Sequence, residues 1–278
     1  MSKLLIKVNY LKDLKIPCDG YIIGIEKFSC NFSTSFSYEE IKNIDSTNKE
    51  IFVAFNRPIF NEELKEYKNM LLKIDSLGLS GIIFNDVSTL TYNLKTKLII
   101  DQNHLNNNFM TINHYYNNGV YGTVLTNDIT KDEINIIKEN TKSLLFKQAF
   151  GLEHLSTSVR KLISNYAKYK KIKIDNNKKI MSESKENKQC IIIEDDFGTY
   201  IFSSEITNLI METTDIKADY FIIDGYLLDD VDINCVVKAF LSSAPKQKEK
   251  MVEYVSNIHD CVSGFINKKT VYKVKKHD

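Results

Sequence analysis

Short apolar runs alternate with amphipathic helical patterns along most of this chain, and that rhythm restricts its fold more than any other feature. Eight runs stand out: Lys3–Val8, Gly20–Gly24, Ile51–Phe55, Gly81–Phe84, Lys97–Ile100, Val120–Leu125, Ser143–Phe150 and Ala218–Ile223. Eight strands with helices between them argue for parallel pairing through right-handed crossovers. The count and the length of 278 residues predict an α/β fold, a (β/α)8 TIM-like barrel.

The helical segments carry their own punctuation. Ser37–Asn48 opens on Ser37 with Glu40 three residues later, and Thr130–Asn140 repeats the pattern with Thr130 and Glu133, so each begins with a capping box. Asn61–Leu77 sets Leu64, Tyr67, Met70, Leu71, Ile74 and Leu77 on one face and stops at Gly78. Further helices are expected over Asn106–Asn118, Ser156–Tyr169 and around Asp232–Ser242. The segment Lys170–Asp195 breaks the rhythm. It is polar and basic, with extended runs at Ile172–Ile174, Lys179–Met181 and Cys190–Ile193, and reads as a small β-hairpin-like insertion at about 170–195. Asp195-Asp-Phe-Gly-Thr199 reads as a turn into a helix that includes Ile206, Leu209, Ile210 and Met211. The tail, Gly264–Lys276, alternates apolar and basic residues like an edge strand. No internal repeat or linker divides the chain, so residues 1–278 are expected to form a single domain.

Composition removes several function classes. The apolar (43%) and charged (26%) fractions are those of a soluble globular protein. A net charge of +1 gives no global field for nucleic acid or membrane, so an anionic partner must be met by a local patch. No stretch of 18 apolar residues exists, and the opening Met1–Val8 is too short and too charged for a signal peptide; a cytoplasmic location without membrane contact is expected. The five cysteines are widely spaced with no CxxC pair, which suits small buried side chains better than a locally written metal site. HExxH, GxSxG and a serine triad are all missing, so catalytic residues stay unassigned.

A barrel carries its site at the C-terminal strand ends. That rule selects Asn56 and Arg57, Asn85 and Asp86, Asn127 and Asp128, and Asp224, with Ser158 and Arg160 from the loop after the seventh run. Of 37 basic residues only Arg57 and Arg160 are arginines. In a lysine-rich chain an arginine marks places where a planar two-pronged donor is needed for a carboxylate or phosphate, or else a structural ion pair. The expected substrate-binding set is therefore Asn56, Arg57, Asn85, Asp86, Ser158, Arg160 and Asp224, suited to a small dianion. Each Asp or Asn in it equally suits a helix cap, Asp128 above all. Lys170, Lys171, Lys173, Lys178 and Lys179 form a basic strip that reads either as a solvated face or as a contact for RNA phosphates. His154 is expected on the surface, at a helix start.

The stretch Phe146–Ser164 adds a resemblance. An aromatic-rich run ends at Gly151 and the segment closes with Ser164, in register with the signature of peptidase family U32, the collagenase-like peptidases; His154 and Lys161 stand where that signature has two Cys. The runs Asp19–Gly24, Val53–Asn56, Leu79–Asp86, Gly119–Leu125, Asp195–Thr199 and Tyr220–Asp224 resemble further family segments in order. The resemblance implies a barrel and one of two activities. One is the peptidase activity behind the family's name. The other is oxygen-independent hydroxylation of RNA or ubiquinone precursors, in which several members hold an iron–sulfur cluster through Cys and use prephenate as oxygen source. Short chains of this type resemble the smaller of two paired proteins that hydroxylate the wobble uridine of tRNA. For this chain that implies tRNA as substrate, a larger U32 paralogue as partner, no cluster here and one either on that partner or absent, and prephenate as a co-substrate for Arg57 and Arg160. A non-catalytic scaffolding role is the remaining alternative.

Overall fold

A computed structural model describes residues 2–45, 47–174, 178–182 and 189–268. In chain order the strands and helices are β1 (Lys3–Lys7), β2 (Gly20–Ile25), β3 (Ser35–Phe36), α1 (Tyr38–Lys42), β4 (Glu50–Phe55), α2 (Leu64–Asp75), β5 (Gly81–Phe84), β6 (Leu98–Ile100), α3 (Phe109–Asn117), β7 (Val120–Val124) and α4 (Lys131–Glu139). They continue with β8 (Leu144–Ser158), α5 (Leu162–Lys170), β9 (Lys178–Ser182), β10 (Gln189–Glu194), β11 (Thr199–Asn208), β12 (Tyr220–Asp224), α6 (Ile233–Leu241), α7 (Pro245–Ser256) and β13 (Cys261–Val262).

Eight strands close a parallel barrel in the order β1, β2, β4, β5, β6, β7, β8, β12, with β12 pairing back onto β1. Every one of the eight expected runs supplies a barrel strand. Inside, Phe146 and Tyr220 stack at 4.3 Å between centroids, and Phe52 meets both edge-on. Leu5, Ile22, Ala54, Ile83, Ile99 and Ile222 complete this inner cluster. Gly81 and Gly122 make room for it, since a Cβ at either would stand 2.8 Å from the Phe52 or Phe146 ring. The barrel is thus packed at its centre and open only at its ends. A second, larger apolar layer lies between the barrel and its helices, including Tyr67, Leu71 and Ile74 of α2 and Val236 and Val237 of α6.

Both capping boxes form as expected: Ser37 and Thr130 accept from the backbone N–H of Glu40 and Glu133. The helices are shorter than the patterns that announced them, α1 most of all, because only the packed turns persist.

Two expectations fail in one place. Ser156–Tyr169 does not form one helix; β8 runs on to Ser158, and the helix begins only at Leu162. Ile206 to Met211 is not helical either, since β11 occupies Thr199–Asn208. The physical reason is shared. The outer half of β8 pairs antiparallel with β11, Ser158 opposite Thr199 and Gly151 opposite Thr207, so long-range ladder bonds override local propensity. β10 and β9 add to β11 in antiparallel order, and β13 pairs with it in parallel. The hairpin expected within Lys170–Asp195 is β9–β10, and it belongs to this larger four-stranded extension of the barrel wall. Residues 175–177, residues 183–188 between its strands and the tail beyond Lys268 lie outside the described residues. α7 was not anticipated from the sequence pattern; it packs Met251 and Val255 inward behind a Pro at its first turn.

Candidate functional site

The C-terminal strand ends surround a cavity of about 120 Å³, lined by polar and apolar side chains alike. It is smaller than the roughly 300–1,000 Å³ of drug-sized ligand pockets and admits one ring-sized group. Lys7 reaches it from the end of β1, Asn31 from the β2–β3 loop, Asn56 from β4, Asp101 from β6, Asn127 from β7, Gln148 and His154 from β8 and Asp224 from β12.

One lysine, Lys7, stands there among three carboxylates, Asp101, Glu153 and Asp224. Lys7 Nζ pairs with Asp224 Oδ2 at 2.7 Å and lies 4.6 Å from the Phe32 ring centroid. The other Asp224 oxygen accepts from Asn9 Nδ2 (3.1 Å) and the Tyr226 N–H (2.9 Å). Asp101 is another carboxylate of the wall. Burial pushes its carboxyl up from the ordinary carboxylate range, against the opposing pull of the Asn103 N–H and Lys7. His154 is fixed on both ring nitrogens, by Asn103 (3.0 Å) and Thr157 (2.9 Å). Asn56 holds the Cys30 backbone through its amide. The buried Asn31 Oδ1 has no hydrogen-bond partner among the described residues, an acceptor that a ligand donor would satisfy. Asn31 and Asn103 both take positive φ (64° and 53°), which an asparagine tolerates better than most residues.

Behind this wall lies Lys147, buried on the outer side of β8. Its ammonium donates to Thr126 O (3.0 Å) and Asn127 Oδ1 (2.5 Å), and burial lowers its pKa to about 8.

Gly151 gives the mouth its shape. Its φ of +133° is a conformation for glycine, and a Cβ would stand 2.5 Å from Asp224 O. β8 turns outward beside the Lys7–Asp224 pair because no side chain intervenes.

Of the substrate-binding set expected from the sequence, Asn56 and Asp224 line the mouth. The others go elsewhere. Arg57 is 3% exposed, and its fork is committed: Nη1 and Nη2 to Glu63, Nε to Lys27 O, Nη1 also to Pro58 O, with the guanidinium 4.2 Å from the Phe197 ring centroid. Arg160 is exposed beyond the outer end of β8, where its N–H bonds to Ser158 Oγ. Asp86 caps a 3-10 turn through the Ser88 N–H, and Asn85 holds a backbone bond to Phe55. His154, expected at a helix start, is instead a strand residue of the mouth. Lys170, Lys171 and Lys173 are exposed on and after α5; Lys178 and Lys179 lie on β9, and their side chains fall outside the described residues.

The sequence reading overlooked Lys7, Asp101 and Gln148. Lys7 and Asp101 follow the same strand-end rule that selected Asn56, while Gln148 is a lone amide in an apolar run. Ser164 of the signature has a structural task. Glu194, at the end of β10, accepts from the N–H groups of Ile163 (2.7 Å) and Ser164 (3.1 Å) and from the Ser164 hydroxyl, and so caps α5 from another element.

A cysteine-held cluster does not fit the residues present. The cysteines are spread over Cys18, Cys30, Cys190, Cys235 and Cys261, and among the described residues no group of three or more His, Cys, Asp or Glu is arranged for a metal. Burial pushes the Cys30 thiol up to about 12, away from a ligating thiolate.

A closed parallel barrel whose seventh barrel strand runs on into an antiparallel extension defines the class, and the family comparison agrees: the model of Peptidase family U32 matches residues 17–270, and the chain belongs to that family. It is 24% identical over 276 residues to the tRNA hydroxylation protein P2 of Bacillus subtilis (strain 168), covering 93% of this chain and 84% of that protein. Among solved structures it is similar to the U32 peptidase Mk0906, with a TM-score of 0.51 and 11% identity over 81% of this chain and 92% of that one; at that identity the likeness concerns the fold. Among the described residues no helix is long and apolar enough to cross a membrane.

Proposed function

We propose that this chain takes part in the oxygen-independent hydroxylation of a tRNA uridine, as the smaller of two paired U32 chains. The observation that carries the reading is the nearly full-length likeness to a protein named for tRNA hydroxylation. The mouth supports it in chemical terms. A base must leave its stack before its ring can be modified, and a ring-sized cavity walled by amides suits the donor and acceptor edge of a flipped pyrimidine. Asn31 Oδ1, an acceptor without a partner among the described residues, suits a ring N–H.

Prephenate and the iron–sulfur cluster we assign to the larger partner. Lys7 is neutralised by Asp224, and neither arginine reaches the mouth, so a dicarboxylate would meet no unpaired arginine there. The peptidase reading draws less support, since no serine or cysteine is among the described residues lining the cavity.

Mass spectrometry of tRNA nucleosides from cells lacking the gene tests the proposal. Nucleosides derived from 5-hydroxyuridine should vanish and return with the intact gene, but not with Asp101→Ala. An unchanged nucleoside profile would remove the tRNA reading.

A further inference from the structure

The strand that brings Gln148 and His154 into the mouth runs on to Ser158, and α5 follows it in the chain. The outward face of α5 is unusual for a helix in solution. Leu162, Tyr166 and Tyr169 recur at spacings of four and three, one stripe of the helix, and all are exposed; Tyr166 is 56% and Tyr169 77% accessible. Lys170 Nζ lies between the two rings, 6.0 Å from the Tyr166 centroid and 5.3 Å from that of Tyr169. From His154 to Ile174 the sequence holds six cations and no carboxylate, although the whole chain carries only +1. Of these cations Lys161 is paired, to Asp196; Arg160, Lys168, Lys170, Lys171 and Lys173 have no ion pair among the described residues. The helix is anchored at its N-terminus by Glu194 on its first N–H groups, so the exposed stripe is presented on a fixed support.

We propose that this face of α5 is a stacking platform for single-stranded RNA, with Tyr166 and Tyr169 taking bases and Lys168, Lys170 and Lys171 taking phosphates. Aromatic rings interleaved with lysines, free of carboxylates, meet both needs of such a strand: every base has a π-face, and every nucleotide a negative charge. Protein interfaces are instead depleted of lysine at their cores, which disfavours a protein occupant. The platform extends the lysine strip seen in the sequence and adds to it the groups that recognise unpaired bases. The choice of RNA rests on the tRNA reading above; the geometry of the face does not.

Fluorescence anisotropy of the full chain with labelled oligouridine, and with a duplex of equal length, tests it. Tyr166→Ala with Tyr169→Ala should weaken oligouridine binding at least roughly tenfold, since each stack is worth about a factor of five or more. Phe at both positions should restore binding. Lys168→Gln with Lys170→Gln should flatten the salt dependence by roughly 0.7 in logarithmic slope for each phosphate left without its lysine. Equal affinity of the Ala pair and the wild type would overturn the platform, as would a preference for duplex, or loss of a larger U32 chain's binding with RNA affinity intact. The two proposals fail separately. Tyr-dependent RNA binding with an unchanged nucleoside profile retains the platform and removes the tRNA hydroxylation; an Ala pair that binds and restores modification normally removes the platform alone.

Discussion

Replacing Arg57 by Lys separates a structural arginine from a ligand-binding one. The guanidinium makes four hydrogen bonds, to Lys27 O (2.5 Å), Pro58 O (3.0 Å) and both Glu63 oxygens (2.5 and 3.2 Å), and stacks on Phe197. A lysine ammonium keeps the charge and can reach Glu63, but it has no fork and cannot serve both carbonyls as well. Two hydrogen bonds from a charged donor are then lost at about 1 kcal/mol each, and the missing stacking adds roughly 0.5–1 kcal/mol. Arg57→Lys should therefore lower the unfolding free energy by about 3 kcal/mol, or Tm by about 6–12 °C for a chain of this size. Urea unfolding followed by circular dichroism measures the first, and a calorimetric scan the second. At temperatures where the variant is folded, tRNA modification should persist. A variant within about 0.5 kcal/mol of wild type that nevertheless abolishes modification would refute the structural assignment and return Arg57 to the substrate.

Three further outcomes follow from the same geometry. Burial lowers the folded pKa of Lys147 to about 8, below the ordinary lysine value of 10.5. The unfolded chain therefore binds more protons between those values, and stability relative to Lys147→Met should rise with pH across that window, by up to about 3 kcal/mol; a difference curve flat from about pH 7 to 10 would contradict this. Gly151→Ala forces a Cβ against Asp224 O and an unfavourable φ, and should cost at least about 2 kcal/mol in urea while disturbing the Lys7–Asp224 pair; unchanged stability would mean that the turn relaxes freely. Glu194→Ala removes the acceptor for the first N–H groups of α5 and should cost about 1–2 kcal/mol, with the N–H of Ser164 losing hydrogen-exchange protection before the barrel strands; uniform exchange across both would argue against this cap.

The eight barrel strands were legible in the sequence because each is short, apolar and bounded by polar residues, and buried parallel strands need little beyond that. The two capping boxes were legible for a related reason: Ser37 with Glu40, and Thr130 with Glu133, satisfy one another within a single turn. Strand ends therefore also located Asn56 and Asp224 at the mouth. What stayed hidden depends on partners far along the chain. Ser156 carries a capping side chain, yet it pairs with Ile201 in a ladder, and α5 takes its cap from Glu194. Arg57 had the chemistry of an anion clamp, but the position of Glu63 and Phe197 around it could not be read from composition. His154 lay in the right stretch and was assigned to the wrong element, so its place in the mouth was missed. Local hydrogen bonding and hydrophobic period thus determined the barrel and its strands. Tertiary pairing alone decided which polar groups converge at the mouth, which are tied up in structural bonds, and which face of α5 is left to solvent, because those outcomes depend on contacts between residues tens of positions apart.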